Sequence, residues 1–336
     1  MASEGLLALL LDGQIPALAR AISVVENARP GFEQLLAGVH PRLGRARRIG
    51  ITGPPGAGKS TLTERLVEGY RSQGHTVGVV CVDPTSPFTG GALLGDRIRM
   101  EAVALDRGVY IRSMASRGSL GGLATTTREI CDLLDAAGFA RILVETVGVG
   151  QSELDVAQLA DTTVLVVVPE SGDGIQALKS GVMEAADLFV VNKADRPGAE
   201  AMRQEIEVAL GIRRGHTRRM VGGVRRTIVA DDPAVWSPSV FATAAASGDG
   251  LPALLGGLDA HFAWLEASGT LETRRRARTA AQTREVADRA LHRWLWQESD
   301  AEGRIAARLD DIVAGRVSPY EVAADLVGGV RQRADR

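Results

Sequence analysis

One eight-residue string, Gly-Pro-Pro-Gly-Ala-Gly-Lys-Ser at 53–60, constrains this chain more than any other feature. It completes the pattern G-x-x-x-x-G-K-[ST], follows the β-branched run 48–52 (RIGIT) and opens the helical stretch TLTERLVEGY. Gly53, Gly56 and Gly58 let the backbone wrap a phosphate chain, Pro54, Pro55 and Ala57 complete the loop, and the next helix presents its N-terminus to the ligand. Lys59 is expected to reach the β- and γ-phosphates and Ser60 to offer its hydroxyl to Mg²⁺, with Thr61 beside them. Such a loop requires a strand before it and a helix after it, so an α/β fold follows.

The rest of the chain keeps that alternation. Short runs at 76–82, 109–113, 141–145, 163–168, 187–191 and 239–242 are nearly continuous in apolar character, as strands buried on both faces must be. Helical stretches separate them, which predicts a mostly parallel central sheet with right-handed crossovers and a ligand at the carboxyl ends of the strands. Three zones are expected: an N-terminal helical extension over 1–45, a nucleotide domain over 46–265, and a C-terminal helical arm over 266–336. The arm carries Trp294 and Trp296 outside the nucleotide domain, which favours self-association over docking on its own domain.

Residues 192–195 read Asn-Lys-Ala-Asp, directly after the apolar run 187–191. Asp195 would accept two hydrogen bonds from the guanine N1 and N2 groups, a pair that adenine cannot supply. Asn192 is expected to brace the loop and Lys193 to pack over the base. Residues 243–250 (TAAASGDG) stand where a second base-contacting loop is expected: Thr243 and Ala244 precede Ala245, whose amide would meet the guanine oxygen. Mg²⁺ needs oxygen ligands. Asp83, Asp96 and Glu145 are the acids placed near the phosphate loop, Glu145 with Gly148 standing where a D-x-x-G motif would meet the γ-phosphate. Lys59, Asp83, Glu145 and Gly148 are therefore the expected catalytic set. The position after Gly148 is Val149, with Gln151 two further on, so slow intrinsic turnover is expected.

Charge excludes other classes. The 39 basic and 41 acidic residues nearly cancel, so no global field points to nucleic acid or a membrane. The N-terminus lacks a basic leader, and no apolar stretch reaches membrane-spanning length, so a cytoplasmic protein is expected. Cys81 and Cys131 match no metal spacing and read as buried thiols. Six arginines at 213, 214, 218, 219, 225 and 226 come with no aromatic residue for stacking on bases, and read as a solvated excursion.

The strings GITGPPGAGKSTL, VDPTSPFTGGALLGDRIRM, RGSLGGLA, VETVGVGQSE and GDGIQALKSGVMEAADLFVVNKAD together resemble the methylmalonyl-CoA mutase-associated GTPases, the MeaB/ArgK family, over about residues 5–265. SPYEVAA at 318–324 extends the likeness more loosely. The resemblance implies a GTP-hydrolysing chaperone of an adenosylcobalamin-dependent acyl-CoA mutase, gating cofactor loading from an adenosyltransferase and protecting the mutase. It also implies a homodimer through the C-terminal arm. By the same likeness, segment 169–179 (PESGDGIQALK) signals to the mutase, through Asp173, Gln176 and Lys179. Two alternatives stay open at this point. A metallochaperone GTPase for nickel enzymes would need a richer His and Cys set than five scattered histidines and two cysteines. A kinase of a transport protein would need an acceptor pocket that no motif supplies.

Overall fold

The structure is a computed structural model that describes residues 2–83, 100–115, 122–146, 152–169, 182–213, 218–221, 224–227 and 235–334. Its centre is a seven-stranded sheet built from β1 (Arg47–Thr52), β2 (Val77–Asp83), β3 (Val109–Ala115), β4 (Arg141–Thr146), β5 (Thr162–Val167), β6 (Leu188–Asn192) and β9 (Ser239–Thr243). The strand order is β3-β2-β4-β1-β5-β6-β9, and every neighbouring pair is parallel. The seven apolar runs of the sequence are these seven strands, displaced by a residue or two at their ends.

Side chains explain the continuous apolar runs. Along β5, Val164 and Val166 enter the core on one sheet face, while Leu165 and Val167 enter a second core on the other. Residues 188–191 of β6 alternate in the same way. A strand covered on both faces has no solvent side on which a polar residue would be favoured.

The first core lies under the helices Lys59–Ser72 and Leu251–Ala267. On the opposite face, the helices Ala2–Leu11, Ile15–Glu26 and Phe32–Val39 join the helix Gly122–Ala136 over Val80, Val82, Ile142 and Val144. The N-terminal segment is thus part of the central domain. Leu10, Leu18, Ile22 and Leu35 are almost wholly buried there. At about 1.5–3 kcal/mol each, these four side chains alone carry on the order of 6–12 kcal/mol of apolar burial, comparable with the net stability of a whole domain. The amides of Gly44, Arg45 and Ala46 all donate to the Asp135 carboxylate, at 2.7, 3.1 and 3.0 Å, which ties this segment to the helix Gly122–Ala136.

The chain divides into two compact units, Met1–Arg278 and Thr279–Arg336. The division falls thirteen residues after the boundary expected at 265, and arginines are the reason. Arg274 grips Asp187 through both terminal nitrogens, at 2.8 and 3.1 Å. Arg275 donates to both oxygens of Asp161, and Arg278 forms a close ion pair with the same carboxylate. Both aspartates sit directly before a strand, β5 and β6, at the amino edge of the sheet. The start of the long helix Thr270–Arg293 is thereby anchored to the first unit.

The second unit has its own small core of Ala301, Val322 and Leu326, with Leu295, Ile305, Ile312 and Val317 packed against it. A π-helical turn, Trp294–Glu298, leads into the helices Ala301–Val313 and Pro319–Ala334. Within the Arg-rich stretch, β7 (Arg218–Val221) and β8 (Val224–Thr227) form an antiparallel pair with Arg219 opposite Arg226. Both cysteines are buried, and burial pushes the Cys131 thiol up to about 11. Among the described residues no helix is long and apolar enough to cross a membrane.

The amino edge of the sheet contains two groups with displaced ionisation. His261 is fully buried, with Nδ1 2.9 Å from Thr162 Oγ1 and its ring stacked on Trp264. Burial lowers its pKa most, the Asp187 charge opposes this and the Arg274 charge adds to it, leaving about 4. Burial alone would raise the Asp161 carboxyl, but the hydrogen bonds and charges of Arg275 and Arg278 outweigh it and hold the group at about 2. The signs separate the two. A histidine whose folded pKa lies below the unfolded 6.5 contributes stability that is full above pH 6.5 and lost as pH falls toward 4. The depressed carboxylate contributes stability that is full above 3.8 and lost as pH falls toward 2. Denaturant unfolding of the wild type is expected to lose about 3 kcal/mol between pH 7 and pH 4 through His261. His261→Gln should flatten that slope, and an unchanged slope in the variant would contradict the assignment.

Candidate nucleotide site

The loop 53–58 leaves the carboxyl end of β1 at the middle of the sheet, and two of its glycines are required by their neighbours. Gly53 has φ of 139°, and a Cβ there would lie 2.0 Å from the Val166 carbonyl oxygen. Gly58 has φ of 81°, and a Cβ there would meet the Asn192 amide nitrogen at 2.5 Å. Gly56 also takes a positive φ, 76°. The helix starts at Lys59 immediately after Gly58, so its N-terminal amides and the positive end of its dipole face the loop. Lys59 is buried, and its Nζ donates to the carbonyls of Gly53 and Pro54 at 2.7 and 2.9 Å. These bonds fix the ammonium within the loop.

Strand order brings Glu145 to Ser60. β4 inserts between β1 and β2, and Glu145 is in register with Ile51 on one side and Cys81 on the other. Ser60 Oγ donates to Glu145 Oε1 at 2.6 Å. One residue further on, Thr146 Oγ1 donates to Thr52 Oγ1 at 3.1 Å and joins the two strand ends. Asp83 ends β2, its backbone paired with Ala115. Asp96 and Gly148 lie outside the described residues, as do Asp173, Gln176 and Lys179.

Asn192 is the joint of the site. It ends β6 and is buried. Its Nδ2 donates to Ala57 O at 2.8 Å in the phosphate loop. Its Oδ1 accepts from Thr243 Oγ1 and from the Ala245 amide, both at 3.1 Å, in the loop after β9. One side chain therefore holds the phosphate loop to the loop 243–250. Lys193 follows in the left-handed region, φ 56°, a conformation that costs a non-glycine residue about 1–2 kcal/mol. The turn is secured by the Ala194 amide, which donates to Thr243 O at 2.9 Å, and by the Arg196 amide, which donates to Lys193 O at 3.0 Å. Asp195 is exposed beyond it.

The Ala245 amide, expected to face the guanine oxygen, donates to Asn192 instead. The physical reason is that Asn192 Oδ1 is buried and takes the nearest donors available. The rest of that loop is a tight turn: the Ala244 amide donates to Asp249 O at 3.0 Å, and the amides of Ser247 and Gly248 donate back to Ala244 O. Sequence reading missed Arg65. Its Nε and Nη2 donate to the carbonyls of Ala245 and Ala246, each at 3.1 Å, while Nη1 pairs with Glu68 at 2.8 Å. No motif marks an arginine six residues after the phosphate-loop lysine, because its partner loop lies 180 positions away.

Comparison with known proteins places this geometry. The family model for the methylmalonyl-CoA mutase-associated GTPase MeaB matches residues 18–300. The chain belongs to the MeaB family. A Pyrococcus abyssi protein named as a GTPase is 42% identical over 315 residues, covering 94% of this chain and 92% of its own length. The mouse protein named methylmalonic aciduria type A homolog, mitochondrial, is 35% identical over 283 residues, covering 79% of this chain and 64% of its own length. A crystal structure titled LAO/AO transport system kinase superposes with a TM-score of 0.68 at 28% identity, covering 98% of this chain and 97% of that one. The chain is a GTPase of the MeaB family, with a phosphate-loop domain on a parallel sheet and a helical C-terminal region.

Proposed function

We propose that this MeaB-family GTPase is a chaperone of an adenosylcobalamin-dependent acyl-CoA mutase, with methylmalonyl-CoA mutase the leading client and an adenosyltransferase as the source of its cofactor. The observation that carries the nucleotide half of this reading is the Asn192 joint, which makes phosphate binding and base binding parts of one structure. The client half rests on the family description and on the mouse relative's name.

In the proposed mechanism, the loop 53–60 cradles the phosphates and Asp195 accepts from the guanine edge. Lys59, held by Gly53 O and Pro54 O, keeps a fixed positive charge where the terminal phosphates would lie. A serine hydroxyl and a carboxylate in contact are an oxygen donor set that suits Mg²⁺, which keeps several waters and needs few protein ligands. Ser60 and Glu145 are the residues that would hold it, with Asp83 and Asp96 as further candidates. The ion would neutralise charge on the phosphate oxygens. Glu145 is the penultimate residue of β4, two positions before residue 147, which gives a route along the chain by which nucleotide state would reach the client. Asp173, Gln176 and Lys179 are proposed as the residues that signal to it. Self-association through the second unit is supported by its exposed apolar side chains, among them Leu291, Val313 and Tyr320.

Two measurements test the reading. Asp195→Ala is expected to lose roughly 3–6 kcal/mol of base discrimination, or on the order of 10²–10⁴ in preference for GTP over ATP. Calorimetry with both nucleotides would check this, and an unchanged preference would overturn the guanine assignment. The client assignment is tested by adding purified methylmalonyl-CoA mutase to a GTPase assay and to size-exclusion chromatography. Faster hydrolysis and a co-eluting complex are expected. Neither acceleration nor complex would reject that mutase as the client.

A further inference from the structure

The phosphate-loop helix has a second attachment to the base side of the site, independent of Asn192. Arg65 lies six residues after Lys59 on the same helix, about 9 Å along its axis at 1.5 Å per residue. Its guanidinium donates to two successive carbonyls, Ala245 O and Ala246 O, and is itself held by Glu68. A planar fork that binds two consecutive carbonyls fixes the orientation of both peptide planes. In a trans peptide the N–H points opposite to the C=O of the same plane. Holding Ala245 O toward the helix therefore turns the Ala246 N–H away from it. The Ala245 N–H is already engaged by Asn192.

We propose that Arg65 is a positioning residue for base recognition: by gripping Ala245 O and Ala246 O from the phosphate-loop helix, it aims the Ala246 amide at the exocyclic oxygen of guanine. This rests on the guanine-binding reading above and adds the residue and the amide that would execute it. The physical reason for placing the arginine on this helix is rigidity. The element that carries Lys59 and Ser60 also sets the distance to the base loop, so a purine with an acceptor at that position fits the phosphate and base contacts together.

The test compares wild type, Arg65→Ala and Arg65→Lys by calorimetry with GDP, ADP and inorganic tripolyphosphate, alongside thermal melting. Arg65→Ala is expected to weaken GDP about tenfold and to shrink the ratio of ADP to GDP dissociation constants by a similar factor, while tripolyphosphate affinity stays unchanged. Arg65→Lys keeps the charge and loses the fork, and is expected to fall in between. A wild type with no preference for GDP would sink the guanine reading itself. A wild type that prefers GDP with an unchanged ratio in Arg65→Ala would overturn the proposal alone. So would a variant that weakens tripolyphosphate and both nucleotides equally, because that is the signature of general loosening.

Discussion

Asn192→Ala is expected to weaken GDP binding by roughly two orders of magnitude. The substitution removes three hydrogen bonds from a buried side chain, to Ala57, Thr243 and Ala245. At about 1 kcal/mol each they sum to roughly 3 kcal/mol, or about two decades in an equilibrium constant. The loss is one of preorganisation: the phosphate loop and the base loop are no longer held in one arrangement before the ligand arrives, and binding must order them. Asn192→Asp refines the test. It keeps an acceptor for Thr243 and Ala245 but sets an oxygen against Ala57 O, so it should damage the phosphate end in particular. Calorimetry with GDP and with tripolyphosphate separates the two ends. GDP affinity within threefold of wild type in Asn192→Ala would show that the joint is dispensable.

Asp161→Ala is expected to lower the melting temperature of the first unit by about 10 °C. Asp161 is fully buried and accepts from the Arg48 amide, Arg275 and Arg278, while the Asp161 amide returns a bond to Arg48 O at 2.8 Å. Removing the carboxylate leaves the nearly buried Arg278 guanidinium without its ion-pair partner. Breaking such a pair costs about 3–5 kcal/mol, and in a domain of this size each kcal/mol moves the midpoint by about 2–4 °C. Pairing Asp161→Ala with Arg278→Met should recover part of the loss, since the uncompensated charge is then gone as well. Calorimetric melting of the two single variants and the double variant measures the coupling. A shift below 2 °C in Asp161→Ala would show that the arginines find equivalent partners elsewhere.

Both effects arise where sequence reading was weakest. No motif marked the arginines at 274, 275 and 278 or the aspartates at 161 and 187. A clue was present, since each aspartate follows an alanine and immediately precedes an apolar strand. Nothing local says that Arg274, 113 residues away, reaches Asp161 O and also grips Asp187. The N-terminal helices read as a helical extension because their apolar pattern is helical, and a helical pattern does not record which surface it covers.

What the amino-acid order determined by itself is local or periodic. It set the phosphate loop, because three glycines, a lysine and a serine at that spacing have one main use. It set the strands, because a doubly covered strand must be apolar throughout, and it marked Asn-Lys-Ala-Asp, at the end of one of them, as the expected base reader. The tertiary structure decided everything that depends on strand order and long-range polar pairing. Inserting β4 beside β1 brought Glu145 to Ser60. Folding β9 beside β6 gave the Ala245 amide to Asn192, and the helix after the phosphate loop brought Arg65 to the same turn. A hydrogen bond between residues 50 or 180 positions apart leaves no trace in either neighbourhood, since each partner satisfies only a distance that the fold creates.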